Sequence, residues 1–277
     1  MNVIMYRVPF AKMHASGNDF ILIDNRMGQV SGDVPGFVRK VCRPHFSVGA
    51  DGLILIEPSE SADFRWRFFN MDGGEVEMCG NGSRCAAKFA YMRGIAGRSL
   101  KFETLAGLIR AEIMDGTVKV QLTKPFGYRS DVIVDLGGAR REGSYINTGV
   151  PHVIYFVDDL EVIDIIKEGA ATRYNDLFRP EGANANFVKA DGEGRLSIRT
   201  YERGVEGETQ ACGTGATAAA LVAGAKGLVK SPVTLLTRGG NQLKVYFDWD
   251  GAGFGDVFLE GDAVLVYQGE LEEGALL

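Results

Sequence analysis

Cysteine and histidine are scarce in this sequence, and their scarcity limits the chemistry that it can carry. Four cysteines and three histidines occur among 277 residues. Four cysteines in a chain of this length do not form a dense disulfide framework, so we expect a reducing, cytoplasmic compartment. A zinc site is also unexpected, because there is no Cys-x-x-Cys pair and His14, His45 and His152 are dispersed. The sequence therefore predicts thiols and no metal site.

Long apolar runs and surplus positive charge are also absent. The most apolar run of small residues, ATAAALVAGA (216–225), is well short of the ~20 residues that span a bilayer. The amino terminus has no apolar segment followed by a cleavage site, so we expect no signal peptide. The formal net charge is −6, and the lysines and arginines are scattered. We therefore expect neither nucleic acid nor a membrane as a partner.

Glycine is plentiful, with 37 residues, and it separates short runs that are typical of β-strands. The clearest runs are FILID (20–24), GLILIE (52–57) and FRWRFF (64–69). Residues 99–123 indicate strands joined partly through Asp115-Gly116, which is a strong hairpin signal. The second half of the chain repeats this style. Links of this kind predict sheets that are mostly antiparallel.

Helices are predicted in four places. Residues 35–46 and 160–175 are amphipathic. The other two helices follow Cys79 and Cys212, where EMCGNGSRCAAKF (77–89) and QACGTGATAAALV (210–222) share a Cys-Gly-x-Gly start. The run after Cys212 is apolar on every face, as expected of a buried helix. Because the cysteines lie about half a chain length apart, we infer a duplication into two equivalent domains, each an antiparallel sheet with one interior helix.

A cysteine followed by glycine at a helix start can support proton transfer. The outward N–H groups and the helix dipole bind a carboxylate or phosphate, and they also stabilise a thiolate. Two such sites facing one amino-acid carboxylate would put a thiol on each side of the α-carbon. One thiolate removes the α-proton, and the opposite thiol delivers a proton to the other face. This inversion explains why the motif occurs twice, since a single fixed base returns the proton to the side it left.

Two other interpretations of these motifs are weaker. GTGATA (213–218) fits the dinucleotide-binding pattern Gly-x-Gly-x-x-Ala, but that pattern needs an acidic residue about 20 positions later. No aspartate or glutamate occurs between Glu208 and Asp248. The second interpretation is that a buried cysteine is usually only a small hydrophobic residue. We assign that role to Cys42 and Cys85, and not to Cys79 and Cys212, because the latter two share the Cys-Gly-x-Gly context.

Taken together, these segments resemble the diaminopimelate epimerase family of amino-acid racemases, which work without pyridoxal phosphate. The resemblance covers nearly the whole chain and rests on MHASGNDF (13–20), GADGL (49–53), FNMDGGEVEMCGNGSRC (69–85), Pro151-His152, GANANFV (182–188) and YERGVEGETQACGTGA (201–216). It implies an α/β fold of the α+β type, with two pseudo-symmetric domains that are each a mostly antiparallel curled sheet or barrel around a central helix. We expect domains at 1–123, joined by a C-terminal strand at about 263–277, and at 124–262, with the active site in the cleft between them.

The resemblance also implies roles for the matching residues. Cys79 and Cys212 are the catalytic acid/base pair, and His152 and Glu202 tune or relay their protons. The substrate-binding residues are Gly80, Asn81, Gly213 and Thr214 at the reacting carboxylate, and Asn18, Asn70, Asn184, Glu202 and Arg203 at the amino groups and the far carboxylate. The supporting residues also have structural interpretations: Asn18 and Asn184 as turn residues, Glu202-Arg203 as a solvated pair and His152 as a structural histidine.

Two positions depart from the family pattern. Relatives often have asparagine where this chain has Val150, and some have glutamine at Gly52. Both changes remove polar contacts from the part of the site that holds the far end of the substrate. They leave open a related racemase for another amino acid, of the histidine or hydroxyproline type. Arg203 argues against that alternative, because a monocarboxylate has no second acid to pair with it.

We therefore predict a cofactor-independent epimerase that interconverts LL- and meso-2,6-diaminopimelate on the route to lysine and peptidoglycan. Its partner is a small diamino dicarboxylic acid, and the resemblance implies a cytoplasmic homodimer that needs no cofactor. An alternative of another class is a protein that closes on an amino acid without chemistry. The presence of both Cys79 and Cys212 argues against that alternative.

Overall fold

The computed structural model describes residues 7–136, 138, 140–192 and 194–276. The chain divides into two compact units. The first unit contains the described residues up to Val120 together with those from Asp262 onward, and the second unit is Gln121–Gly261. No helix in these described ranges combines the length and the apolar character needed to cross a bilayer.

The strands and helices follow one another in a similar order in both halves of the chain. In chain order the strands are β1 (Val8–Ala15), β2 (Asn18–Asp24), β3 (Gly52–Glu57), β4 (Phe64–Asn70), β5 (Glu75–Val76), β6 (Ser99–Thr104), β7 (Gly107–Ile113), β8 (Val118–Gln121), β9 (Phe126–Asp135), β10 (Arg140–Asn147), β11 (Pro151–Phe156), β12 (Asn184–Ala190), β13 (Arg195–Glu202), β14 (Gly207–Thr209), β15 (Val233–Leu236), β16 (Gln242–Tyr246), β17 (Phe258–Gly261) and β18 (Val264–Leu271). The helices are α1 (Val34–Val41), α2 (Gly80–Met92), α3 (Ile165–Arg173) and α4 (Gly213–Ala225). Short 3₁₀ turns follow at Asp176–Phe178 and Glu273–Leu276.

The sheet of the first unit has the strand order β18–β1–β2–β3–β4–β6–β7–β8, and β5 pairs with β4 as a short extra strand. Most neighbours are antiparallel, as predicted. Two pairs are parallel, β2 with β3 and β4 with β6, because α1 and α2 carry the chain across the sheet between them. The predicted hairpin at Asp115-Gly116 joins β7 to β8, and Gly116 has a φ of +90° there.

The sheet of the second unit repeats this topology with different strands. Its order is β9–β10–β11–β12–β13–β15–β16–β17, and β14 pairs with β13. The parallel pairs, β11 with β12 and β13 with β15, are in the equivalent places. The two sheets differ in the source of one outer strand: β9 precedes β10 directly, whereas its equivalent β18 comes from the far end of the chain.

The long helix of each unit is interior, as the small-residue runs predict. Helix α2 contacts the adjacent strands β1, β2 and β3 and also β7, which lies near the other end of the strand order, so the sheet curls around the helix. Helix α4 is surrounded in the same way by strands from β10 to β16. Side chains no larger than leucine let strands approach α4 from all sides, and its residues from Gly215 to Ala223 are buried.

The two amphipathic helices are shorter than predicted at their ends. Helix α1 ends at Val41 rather than residue 46, because Pro44 disfavours helical backbone at Arg43. Helix α3 begins at Ile165 rather than residue 160, because the Asp164 carboxylate accepts the N–H of Lys167 at 3.1 Å and caps the helix there.

Candidate active site

Cys79 occupies the N-cap of α2 in the first unit. Its backbone is extended (φ −147°, ψ 117°), and its sulfur accepts the N–H of Gly82 at 3.4 Å. The sulfur lies 3.9 Å from Oδ1 of Asn18. The next N–H groups, of Gly80 and Asn81, belong to the first turn and have no acceptor within a regular helix. A half-buried thiol therefore lies beside donors suited to an anion.

Asn18 is held in a fixed orientation beside this sulfur. Its amide nitrogen donates to the Asp51 carboxylate at 2.6 Å, and its amide oxygen accepts from Nδ2 of Asn81 at 3.4 Å. Asp51 also accepts the N–H of Asp19 at 3.2 Å. The oxygen of Asn18 therefore faces Cys79 and Asn81, and both ends of its amide group have polar contacts.

Arg84, one turn into α2, is fully buried beneath these residues. Its guanidinium donates to Oδ1 of Asn81 at 2.8 Å, to the Ser16 hydroxyl at 3.2 Å and to the backbone carbonyl of Asp262 at 3.0 Å. It is also close enough to the sulfur of Cys79 to interact with it electrostatically. A buried positive charge favours the thiolate form of a nearby cysteine. We call Asn18, Asp51, Cys79, Asn81 and Arg84 the Cys79 site.

Asn70 lies at the exposed end of β4, before a tight turn. Its backbone N–H donates to the carbonyl of Gly74 at 2.9 Å, and its carbonyl accepts the N–H of Gly73 at 2.8 Å. Its register partner across the strand pair is Gly52. The side chain is therefore carried on a fixed backbone at the rim of the sheet.

Cys212 occupies the N-cap of α4 in the second unit, the position equivalent to Cys79. It is buried, and its sulfur lies 3.4 Å from the hydroxyl of Thr214. Burial and the neighbouring Glu202 carboxylate raise the pKa of Cys212 to about 12, while Thr214 and the N–H of Gly215 act in the opposite direction. Burial likewise raises the pKa of Glu202, whose carboxyl is in contact with the Cys212 thiol. Cys212 is therefore a thiol at neutral pH.

His152 and Asn186 form a buried pair in the same unit. Nδ2 of Asn186 lies 3.1 Å from Nδ1 of His152, and the Thr200 hydroxyl donates to Oδ1 of Asn186 at 2.9 Å. Burial and the nearby Arg203 cation lower the pKa of His152 to about 3, so the imidazole is neutral. We call His152, Asn186, Glu202 and Cys212 the Cys212 site.

Asn184 is engaged with the backbone and holds Arg203 in place. Its amide nitrogen donates to the carbonyl of Pro151 at 2.9 Å, and its oxygen accepts the N–H of Arg203 at 2.7 Å. The guanidinium of Arg203 is half-buried and donates to the carbonyl of Glu181 at 3.3 Å.

At the start of α4, the Thr214 carbonyl accepts a hydrogen bond from the Thr148 hydroxyl at 3.0 Å. The Cys212 motif is thus tied to the strands around it.

The shared topology makes the positions of the two units comparable. Phe20 of β2 lies opposite Gly52 of β3, and His152 of β11 lies opposite Asn184 of β12. His152 therefore takes the place of Phe20, and Asn184 takes the place of Gly52. The fold is duplicated, but the polar groups around the two sulfurs are not.

Each departure from the family pattern corresponds, through this duplication, to an asparagine of the other unit: Gly52 corresponds to Asn184, and Val150 corresponds to Asn18. Two residues before the Phe20 and His152 positions are Asn18 and Val150, so an asparagine in one unit corresponds to a valine in the other. A Cβ atom added at Gly52 would come within 2.5 Å of the Phe68 ring and 2.6 Å of the Phe69 carbonyl. A larger residue at position 52 therefore requires β4 to move.

Gly215 separates Asn186 from Cys212, and we expect its replacement by alanine to lower the rate constant kcat about 100-fold. The new Cβ would lie 2.4 Å from Oδ1 of Asn186 and 3.3 Å from the Cys212 sulfur, so one of them must shift. Misplacement of a reacting group by about 1 Å costs on the order of 10²-fold in rate. Gly253→Ala is the matched control, because its Cβ would enter open space. Equal turnover by both variants would contradict the geometry.

The neutral, buried His152 predicts a loss of stability in acid. In the unfolded chain a histidine gains its proton near pH 6.5, whereas folded His152 gains it near pH 3. Between these values the unfolded state binds more protons, so the free energy of unfolding falls as the pH falls through this window. We expect His152→Gln to flatten this fall in denaturant titrations from neutral pH to about pH 4. The exposed His45, changed to asparagine, is the control; the same slope in His152→Gln as in the parent would refute the prediction.

Sequence reasoning missed three side chains that orient the site. Asp51 and Asn186 lie inside the recognised segments GADGL and GANANFV, but neither was assigned a role. Arg84 lies inside the segment FNMDGGEVEMCGNGSRC and was likewise assigned no role. An available signal was the spacing of Asn184 and Asn186, because residues two apart in a strand share a face.

Comparisons with known proteins identify the family of this chain. A sequence model of the family described as diaminopimelate epimerase matches residues 10–126 and 144–266. The chain is 48% identical over 279 residues to a diaminopimelate epimerase of Aquifex aeolicus, covering 96% of this chain and 99% of that one. It is 46% identical over 273 residues to a diaminopimelate epimerase of Hydrogenobaculum sp., covering 94% and 97%.

Among solved structures, the chain is similar to a phenazine biosynthesis protein of the PhzF family from Bacillus anthracis. The TM-score is 0.72 at 18% identity, covering 96% of this chain and 99% of that one. At this identity the likeness concerns the fold alone, and it confirms the predicted fold class. The match of the family model and the identity to its members over nearly the full length show that this chain belongs to the diaminopimelate epimerase family of isomerases.

Proposed function

We propose that this protein interconverts LL- and meso-2,6-diaminopimelate by a two-base reaction in which Cys79 and Cys212 act on opposite faces of one α-carbon. The observation that carries the proposal is the duplicated N-cap cysteine: each unit starts its interior helix with a Cys-Gly-x-Gly. A single base needs only one such site. Family membership supports the choice of substrate.

The substrate's α-carboxylate is held by the N–H groups at the starts of α2 and α4, through Gly80-Asn81 and Gly213-Thr214. These donors stabilise the negative charge that spreads into the carboxylate as the α-proton leaves, so the reaction runs without pyridoxal phosphate. Exclusion of water from the bound substrate strengthens these interactions.

The far end of the substrate is bound by polar groups from both units. Arg203 pairs with the second carboxylate, for which its planar guanidinium is suited. Asn18, Asn70 and Glu202 bind the amino groups, and Asn184 acts through the backbone of Arg203. This arrangement favours a dicarboxylic diamino acid over a monocarboxylic amino acid.

The different surroundings of the two sulfurs indicate how the reaction starts. Cys212 rests as a thiol, because burial and Glu202 oppose its ionisation. Cys79 lies beside the buried Arg84 cation. We assign Cys79 as the base and Cys212 as the acid at the start of the reaction, and the reverse reaction starts with these roles exchanged. The protein works in the reducing cytoplasm, where both thiols persist, and assembles as a homodimer.

The test is to incubate the protein with LL-diaminopimelate in reducing D2O buffer without pyridoxal phosphate, followed by NMR and mass spectrometry. The proposal predicts the meso isomer, with deuterium at one α-carbon. Parallel reactions with histidine and hydroxyproline address the related racemases. Exchange only with one of those amino acids would refute the substrate assignment. Tight binding of diaminopimelate without exchange would indicate a binding protein instead.

A further inference from the structure

Both the NH2 and the oxygen of the Asn186 amide group form hydrogen bonds within the second unit. Nδ2 lies 3.1 Å from the carbonyl oxygen of Val153 and 3.1 Å from Nδ1 of His152. Oδ1 accepts the Thr200 hydroxyl at 2.9 Å. Asn186 and His152 are both fully buried. Water therefore does not compete for these groups.

The chemistry of the partners fixes which way this amide points. The Val153 carbonyl can only accept a hydrogen bond, so the group that faces it must be the NH2 of Asn186. The same NH2 has a second hydrogen, for which Nδ1 of His152 at 3.1 Å is a nearer acceptor than the carbonyl oxygen of Asn184 at 3.5 Å. The Thr200 hydroxyl satisfies the amide oxygen on the other side. A flipped amide would place two oxygens against each other and leave the hydroxyl facing a donor.

This orientation determines which nitrogen of the neutral imidazole carries the proton. Nδ1 of His152 faces an N–H donor and must present its lone pair, so the proton of the neutral ring is on Nε2. Protonation at Nδ1 would set two N–H groups against each other. The Nε2–H is buried, and no acceptor for it occurs within the described residues. A buried donor without a partner costs free energy, and such groups are uncommon outside functional sites.

The His152–Asn186 pair belongs to the surroundings of Cys212. Both Oδ1 of Asn186 and the Cys212 sulfur lie against Gly215, at 2.4 Å and 3.3 Å from the position a Cβ would take there. Arg203 acts electrostatically on His152. The imidazole thus belongs to the same unit and the same cluster as the proposed substrate ligands.

We propose that Asn186 is a positioning residue that locks His152 as a neutral Nε2–H donor, and that this N–H donates to a carboxylate oxygen of the bound amino acid. The inference rests on the proposed function for the identity of the acceptor. Its N–H adds a fixed dipole to the anion site without changing the charge there.

The test is ¹⁵N NMR of the histidine rings, which reports directly which ring nitrogen carries the proton. Only three histidines occur in the chain, and His152→Gln identifies the signals of His152 by their loss. The expected spectrum has Nδ1 unprotonated and Nε2 protonated, unchanged from about pH 9 to pH 5. A proton on Nδ1, or a titration within that range, would overturn the proposal. The measurement needs no turnover, so its result does not depend on whether the protein catalyses the proposed reaction.

Asn186→Asp tests, with a residue of the same shape, whether the amide of Asn186 fixes the position of the ring proton of His152. Its carboxyl lacks the NH2 that faces His152, so we expect the ring proton to appear on Nδ1. In an active enzyme, kcat should fall on the order of 10- to 100-fold, as for the loss of one hydrogen bond to a charged group. Thr200→Val is the matched control, because it removes only the donor to Oδ1 and should leave the proton on Nε2. An unchanged tautomer in folded Asn186→Asp would refute the role of Asn186, and if that variant does not fold, the parent spectrum alone decides.

Discussion

Replacing either Cys79 or Cys212 with alanine is expected to abolish measurable epimerisation, whereas Cys42→Ala is expected to leave it intact. In the proposed reaction, each cysteine of the pair supplies a proton transfer on one face of the α-carbon, and a positioned acid or base contributes about 10²- to 10⁴-fold in rate. Loss of one group is enough, because inversion needs both faces. Cys42 is a matched control: it is fully buried, and burial raises its pKa to about 12, so it takes part only in packing.

The measurement is the rate of meso-diaminopimelate formation by the three variants, each confirmed as folded by circular dichroism. Exchange of the α-proton with solvent should also be followed, because a variant that keeps one thiol can still exchange one isomer with retention. A Cys79→Ala or Cys212→Ala variant that forms the inverted product within tenfold of the parent rate would contradict the two-thiol reaction.

Arg84→Met is expected to damage both the stability and the chemistry of the first unit. The fully buried guanidinium serves Asn81, Ser16 and the carbonyl of Asp262, and removing it leaves these acceptors without their donor. Each unsatisfied buried group costs about 1–3 kcal/mol, partly offset by no longer burying a charge, so we expect a loss on the order of 3 kcal/mol in the free energy of unfolding. Cys79 should also react more slowly with iodoacetamide at a given pH, because its cationic neighbour is gone.

Denaturant unfolding and mass mapping of the alkylated cysteines measure the two effects of Arg84→Met. Arg93→Met is the matched control, since that exposed arginine directly follows α2 as its C-cap. Unchanged stability would show that Arg84 is not the structural centre of the Cys79 site. Unchanged Cys79 reactivity in a stable variant would remove the electrostatic explanation for the different roles of the two sulfurs.

The fold was predictable where the chain repeats itself. The two Cys-Gly-x-Gly starts located the interior helices, and the Asp115-Gly116 turn located a hairpin, because both signals are local. The parallel pairs of strands were not predicted, since crossover pairing depends on where a helix packs. The C-terminal strand of the first domain was expected only from the family resemblance, because β18 and β1 meet from opposite ends of the chain and no local signal pairs them.

The candidate site was predictable for residues in distinctive motifs and less so for those that support them. Arg84 resembles a surface charge in sequence, because arginine is seldom fully buried without a paired carboxylate. Its burial follows from the carbonyl of Asp262 on a distant segment. Asn184 was predicted as a substrate ligand, and its amide is bonded to the backbone of Pro151 and Arg203. The neighbouring Asn186 was overlooked, although it lies on the same face of β12.

The central claim, that two different groups act on the two faces of one α-carbon, is tested most directly by the early isotope pattern in D2O. LL-diaminopimelate is converted to a few per cent, and deuterium is measured separately in the product and in the recovered substrate. Two bases predict a meso product with deuterium at its inverted carbon and recovered substrate with almost none, because the thiol that delivers the proton has equilibrated with solvent. Product that keeps the original α-proton, or substrate that gains deuterium as fast as product forms, would indicate a single base and contradict the account.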